Sequence, residues 1–203
     1  MVRKTPLVAL ALAVFLTVPA AAQSTGVPSF QSPYRAFVRS EFGGVVSFPQ
    51  PNGTGYEGMY RFGSGRVDVG VRAGIWDPIG LAPSSMLAGV EIRERAVTHT
   101  QDFPLDGAFV FGMGGNFRSG FQRFLIPGGL TLGRRVDLKD SNVSFSPYVQ
   151  PTAFLRGGNN INTDMIFGMG LGVDVRLARA FDTRVSIGVG DVEGVSLAAV
   201  WIH

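Results

Sequence analysis

From Arg66 to Trp76 the chain alternates without a break, with Val67, Val69, Val71, Ala73 and Ile75 on odd positions and Arg66, Asp68, Gly70, Arg72 and Gly74 on even ones. Side chains of a β-strand point to opposite faces in turn, so a period of two gathers the apolar groups on one face and the charges and glycines on the other. The stretch IFGMGLGVDVRLARAF, residues 166–181, repeats the pattern. Met165, Phe167, Met169, Leu171, Val173, Val175 and Leu177 alternate with Gly168, Gly170, Gly172, Asp174 and Arg176. Its three glycines resemble a phosphate-binding loop only superficially. A dinucleotide loop needs G-x-G-x-x-G spacing at a strand-to-helix turn, whereas here the spacing stays at two and the alternation runs on through Arg176. The glycines are therefore expected to form the small face of a strand, leaving space for long arginines opposite.

The N-terminus places this strand-rich chain in an exported setting. Arg3 and Lys4 precede an apolar run of roughly 13 residues, followed by Ala20, Ala21 and Ala22, which is the layout of a secretory signal peptide cleaved before Gln23. Residues 1–22 are read as that leader and 23–203 as a single domain. The formal charge of +3 includes Arg3 and Lys4, leaving +1 on the mature chain. The mature chain has one lysine, Lys139, and no cysteine. Thiolate metal sites and cysteine nucleophiles are excluded. The preference for arginine suits charges held by bidentate pairing in a desolvated place.

No later segment offers the roughly 20 apolar residues of a membrane helix. The dyad pattern predicts strands near 34–48, 55–63, 66–76, 86–97, 107–116, 122–136, 143–156, 164–178, 183–190 and 195–202. The expected fold is all-β: a closed antiparallel up-and-down transmembrane β-barrel of about ten strands, with eight as the alternative count. With the N-terminus periplasmic, PQPNGT, DPIGLAPSS, FRSGF, GGNNINT and DVEG become the outer loops, and most are expected to be longer than the turns at the other end. Pro147 and Pro151 predict a local irregularity in their strand, because proline lacks a ladder donor.

The leader, the dyad strands over the whole mature chain and the aromatic Trp201 near the C-terminus resemble the small outer-membrane β-barrel proteins of Gram-negative-type bacteria, porin-like or like the OmpA membrane domain. The resemblance implies an outer-membrane location, lipid as surroundings and a monomer. It also implies a C-terminal strand, VSLAAVWIH, presented to the barrel-assembly machinery. That strand continues past Trp201 to Ile202 and His203, where family members usually end on the aromatic residue.

A membrane barrel turns its apolar face outward, the reverse of a lipocalin-like barrel. On this reading Phe42, Phe48, Tyr56, Tyr60, Trp76, Phe109, Phe111 and Phe124 face outward. Arg35, Arg39, Glu41, Glu57, Arg61, Arg66, Asp68, Arg72, Glu91, Arg93, Asp174, Arg176 and Arg184 form an interior charge network of mixed sign. A narrow lumen requires such pairing, since an unpaired interior charge costs several kcal/mol, on the order of a lost buried partner.

Other chemistry is thinly represented. His99, near Asp102, is the one candidate for a serine–histidine–acid arrangement, but no G-x-S-x-G elbow accompanies it and His203 is terminal. The Asn- and Gly-rich loops lack the calcium-loop spacing, and the interleaved charges offer no contiguous basic surface for nucleic acid. The chain is read as a non-enzymatic envelope barrel without cofactor or metal, serving a structural or surface-loop role with at most a narrow pore. The alternatives are a small-solute porin, a membrane-embedded lipid-modifying enzyme and a soluble lipocalin-like carrier.

Overall fold

The computed structural model describes residues 24–33, 39–50, 53–159 and 161–203. The alternating stretches form ten long strands: β1 (Glu41–Pro49), β2 (Thr54–Ser64), β3 (Val67–Asp77), β4 (Ser85–Val97), β5 (Asp106–Arg118), β6 (Phe121–Gly133), β8 (Ser144–Gly158), β9 (Ile161–Ala178), β10 (Phe181–Gly190) and β11 (Gly194–Ile202). A two-residue strand, β7 (Val136–Asp137), lies beside β8. Every long strand pairs antiparallel with its neighbours in sequence. β1 pairs with β11, and β6 pairs with β8, closing the sheet on itself. The result is a ten-stranded up-and-down barrel without an open edge, which removes the hazard that unpaired strand edges carry.

Burial follows the dyad. In β2 the buried positions are Gly55, Glu57, Met59 and Arg61, while Tyr56, Gly58, Tyr60 and Phe62 are exposed. In β3 Asp68, Gly70 and Arg72 are buried and Val67, Val69, Val71, Ala73 and Ile75 are exposed. The barrel is thus polar inside and apolar outside. Phe42, Phe48, Tyr56, Tyr60, Phe109, Phe111 and Phe124 are exposed on the outer face, as expected. Trp76 is a correction: it shares parity with Asp68 and Arg72, and it sits at the inner rim with the Arg123 guanidinium 5.8 Å from its ring.

Two features of the wall trace to proline. Pro147 and Pro151 sit outward in β8, which pairs continuously with β9 from Ser144 to Arg156. On the other side, the β6–β8 ladder breaks between Thr152 and Val149, beside Pro151. The β5–β6 ladder likewise breaks between Phe111 and Gly114, opposite Pro127. A missing N–H leaves the ladder no bond to make at these points.

The loops do not divide by length as expected. Strands run on into FRSGF and GGNNINT, leaving a two-residue turn at 119–120 and β8 ending at Gly158 with β9 beginning at Ile161. The longest connections are 98–105 and 134–143, at the end that also carries the C-terminus. Gly65, at φ +62°, lets β2 turn into β3 within two residues at that same end.

The first expected strand begins late. Residues 39–40 precede β1, and residues 24–33, assigned to no strand in the sequence reading, lie inside the barrel. Val27, Phe30, Ser24, Thr25, Ser29, Gln31 and Ser32 are all at most 3 % exposed.

Candidate functional site: an occluded lumen and its ion-pair network

The inward charges lie close together because antiparallel register brings them to the same height on adjacent strands. Glu41 faces Arg61 across β1–β2, Asp68 faces Arg93 across β3–β4, and Asp174 faces Arg184 across β9–β10. Arg61 is the hub. Its Nη1 donates to Asp68 Oδ1 at 2.5 Å, its Nη2 to Glu91 Oε1 at 2.5 Å, and its Nε lies 3.6 Å from Glu41 Oε1. Arg184 grips Glu41 with both terminal nitrogens, at 3.0 and 2.6 Å, and its Nε is 3.5 Å from Asp174. Arg93 donates to both oxygens of Asp68. One connected chain of charge therefore crosses the lumen from Asp174 to Arg93. Arg72 pairs with Glu57, and Arg176 with Asp182, each at 3.3 Å.

These contacts join ten of the thirteen residues expected in the interior network. Arg66 stands outside it, at the β2–β3 turn. Its side chain is 72 % exposed, and its partner is Glu94, itself 52 % exposed, because the strand ends before the side chain can turn inward. Arg39 is exposed ahead of β1, where it lines an open groove of about 230 Å³ together with Arg135, Arg176 and Arg179. Arg35 lies outside the described residues. Asp182, fully buried, belongs to the interior set but was not anticipated. Its parity with Arg184 was the available signal.

The N-terminal segment passes through the same space and is bonded to the wall along its length. The Phe30 N–H donates to Ser186 Oγ, which in turn donates to the Pro28 carbonyl. Arg72 donates to Ser29 Oγ at 2.8 Å, and Arg93 Nη1 to the Ser32 carbonyl at 2.8 Å. The Ser32 N–H points to Asp174, and Thr131 donates to the Gln31 carbonyl. Pro28 and Pro33 keep the segment out of helix, and its small polar residues suit a polar bore. Phe30 is the exception. It enters an internal apolar cluster with Leu125, Tyr148, Phe154, Ile166 and Val192.

Here the glycines of β9 find their use. A Cβ on Gly170 would overlap the Phe30 ring, and one on Gly172 would overlap the Tyr148 hydroxyl end. The space they clear is taken by aromatic rings, not by arginines as the alternation alone suggested. Gly70 does follow the original expectation, since a Cβ there would stand 2.8 Å from Arg61 Cζ.

His99 is placed in the 98–105 loop, where its Nδ1 is 3.0 Å from Asp106 Oδ1; its acid partner is Asp106, not the nearby Asp102. Among the described residues no serine or threonine hydroxyl is hydrogen-bonded to its ring. No group of three or more metal-ligating side chains occurs among the described residues. No family model matches this chain, and neither does a curated protein or a solved structure.

Proposed function

We propose that this protein is an integral outer-membrane β-barrel, exported by its leader and closed to free solute passage by its own N-terminal segment. It acts as a single-copy envelope scaffold that offers its loops to the outside. The observation that carries the reading is the inverted barrel: Arg61, Arg93 and Glu41 are at most 2 % exposed, while Phe62, Ile75, Phe111 and Met113 are each more than half exposed. Soluble monomers rarely expose contiguous apolar surface beyond a few hundred Å². A belt of this kind around every strand suits lipid, and strands of 9 to 18 residues are long enough to cross it when tilted.

Near the terminal end, Phe42 stacks on Trp201 at 5.9 Å, Phe181 tilts against Trp201 at 4.9 Å, and Tyr60 meets His203. Trp201 and Tyr60, amphipathic rings gathered with these phenylalanines at one level, suit a membrane–water interface. β11, with Trp201 outward, is the strand this reading presents to the assembly machinery.

Membrane fractionation is the decisive experiment. The protein is expected in the outer-membrane fraction, and after detergent extraction it should migrate faster in gels unheated than boiled. Recovery in the soluble fraction without detergent would reject the reading in favour of a carrier. A point variant adds a quantitative check: Val71→Arg, midway along the outer face of β3, should lower stability in lipid vesicles by roughly 2–4 kcal/mol. Urea titration measures it, and a change under about 0.5 kcal/mol would mean that Val71 faces water.

A further inference from the structure

The mouth opposite the C-terminus contains a cavity of about 160 Å³ that the ion-pair network does not reach. Its walls include Trp76, Ser85, Asn116, Arg118, Phe121 and Arg123. Register explains the gathering: Trp76 pairs with Ser85 across β3–β4, and Asn116 with Arg123 and Arg118 with Phe121 across β5–β6. The lining carries two arginines and no acid.

Arg123 differs from the other inward-facing arginines. Arg61, Arg72, Arg93, Arg176 and Arg184 each meet a carboxylate, whereas no ion pair joins Arg123 to an acid among the described residues. Its Nε is buried without a hydrogen-bond partner, and its guanidinium lies over the Trp76 ring. Two further polar atoms in the lining are also buried and unpartnered: the Trp76 Nε1 and the Oδ1 of Asn116, a residue only 3 % exposed. Arg118 donates to the Pro83 carbonyl at 3.4 Å, holding the 78–84 loop over the mouth, and its guanidinium lies 4.9 Å from the Phe121 ring centre. From the plug, Gly26 closes the floor, because a Cβ there would stand 3.0 Å from Arg123 Nη2.

We propose that this mouth is a binding site for a small carboxylate attached to a flat apolar group. A half-buried guanidinium without an acid partner is an electrostatic deficit that an anion fills, and its planar fork matches a carboxylate bidentately. Trp76 and Phe121, each with an arginine over one face, leave their remaining apolar surface to border a ring. Benzoate is the simplest probe with both parts.

The test uses the detergent-purified protein in carboxylate-free buffer. Trp76 and Trp201 are the only tryptophans, so Trp201→Phe leaves Trp76 as the sole indole reporter. Benzoate should change its emission saturably. Benzamide, the neutral isostere, should bind about tenfold more weakly or worse, as loss of a charge-assisted contact requires. Acetate and inorganic phosphate should also be weaker, since neither offers a ring. Arg123→Gln should abolish the benzoate response while keeping heat-modifiable migration. Calorimetric titration of the unsubstituted protein repeats the comparison without reliance on Trp201→Phe. Equal binding of benzoate and benzamide, a retained response in Arg123→Gln, phosphate binding as tightly as benzoate, or no saturable signal from benzoate would each overturn the proposal.

Discussion

Arg61→Met should cost roughly 3–5 kcal/mol of unfolding free energy, measured by urea titration of the protein folded into lipid vesicles. Arg61 is 1 % exposed and touches Asp68, Glu91 and Glu41 at once. Asp68 keeps Arg93 and Glu41 keeps Arg184, but Glu91 has no other ion-pair partner among the described residues. Methionine fills much of the same volume, so packing changes little. The loss comes from a buried carboxylate stripped of its counter-charge.

That origin gives the prediction a second arm. Glu91→Gln in the same chain removes the stranded charge, and Arg61→Met with Glu91→Gln should recover a large part of the deficit. A double-mutant cycle isolates the coupling, which for groups in one network reaches about 0.5–3 kcal/mol. An Arg61→Met deficit under about 1 kcal/mol would place the pair among superficial ion pairs, whose worth is of that size. Additive losses would instead assign the effect to volume.

The alternation of Arg66 to Trp76 was enough to predict a strand there and which of its faces is charged, and the same rule located all ten long strands. Parity alone also assigned ten of the network residues to the interior, because period two admits only two choices and mixed charge excludes one of them. The rule fails where a strand ends. Arg66 has inward parity but occupies a turn, and Trp76 shares the inward parity although its chemistry suggested the outer belt. Loop lengths were misjudged for a related reason: the glycines and asparagines of GGNNINT are turn-formers by composition, yet Gly157, Gly158 and Asn162 lie within β8 and β9, and in FRSGF only Ser119 and Gly120 are left to turn.

Least legible was the segment at 24–33. Its sequence, STGVPSFQSP, has no period and two prolines, which is also how a linker reads. Nothing local distinguishes a linker from a plug. The distinguishing residues are remote: Gly170 and Gly188, which leave room for Phe30, and Ser186, which bonds its backbone. A strand rich in inward glycine therefore reports space to be filled, and identifying what fills it takes the three-dimensional fold.

Gly170→Leu should convert the closed barrel into a conducting one. Phe30 lies against Gly170, with Gly188 beside the same ring, so a leucine at 170 and the ring cannot occupy the lumen together. The wall is the more robust partner, since β9 is paired with β8 and β10 over most of its length, whereas the plug is held mainly by individual side-chain bonds. Expelling Phe30 also removes it from its cluster with Tyr148, Phe154 and Ile166, a loss of about 3–5 kcal/mol by analogy with aromatic truncation in a core. The expected readout in planar bilayers is silence from the unsubstituted protein and repeated open-channel steps from the variant. Deleting residues 24–33 should give the same steps without any change in the wall. If the deletion is silent while heat-modifiable migration persists, the ion-pair chain from Asp174 to Arg93 is itself the barrier, and Arg61→Met combined with the deletion should then open the bore. Steps from the unsubstituted protein would mean that the segment leaves the lumen unaided, which its bonds to Arg72, Arg93 and Ser186 oppose.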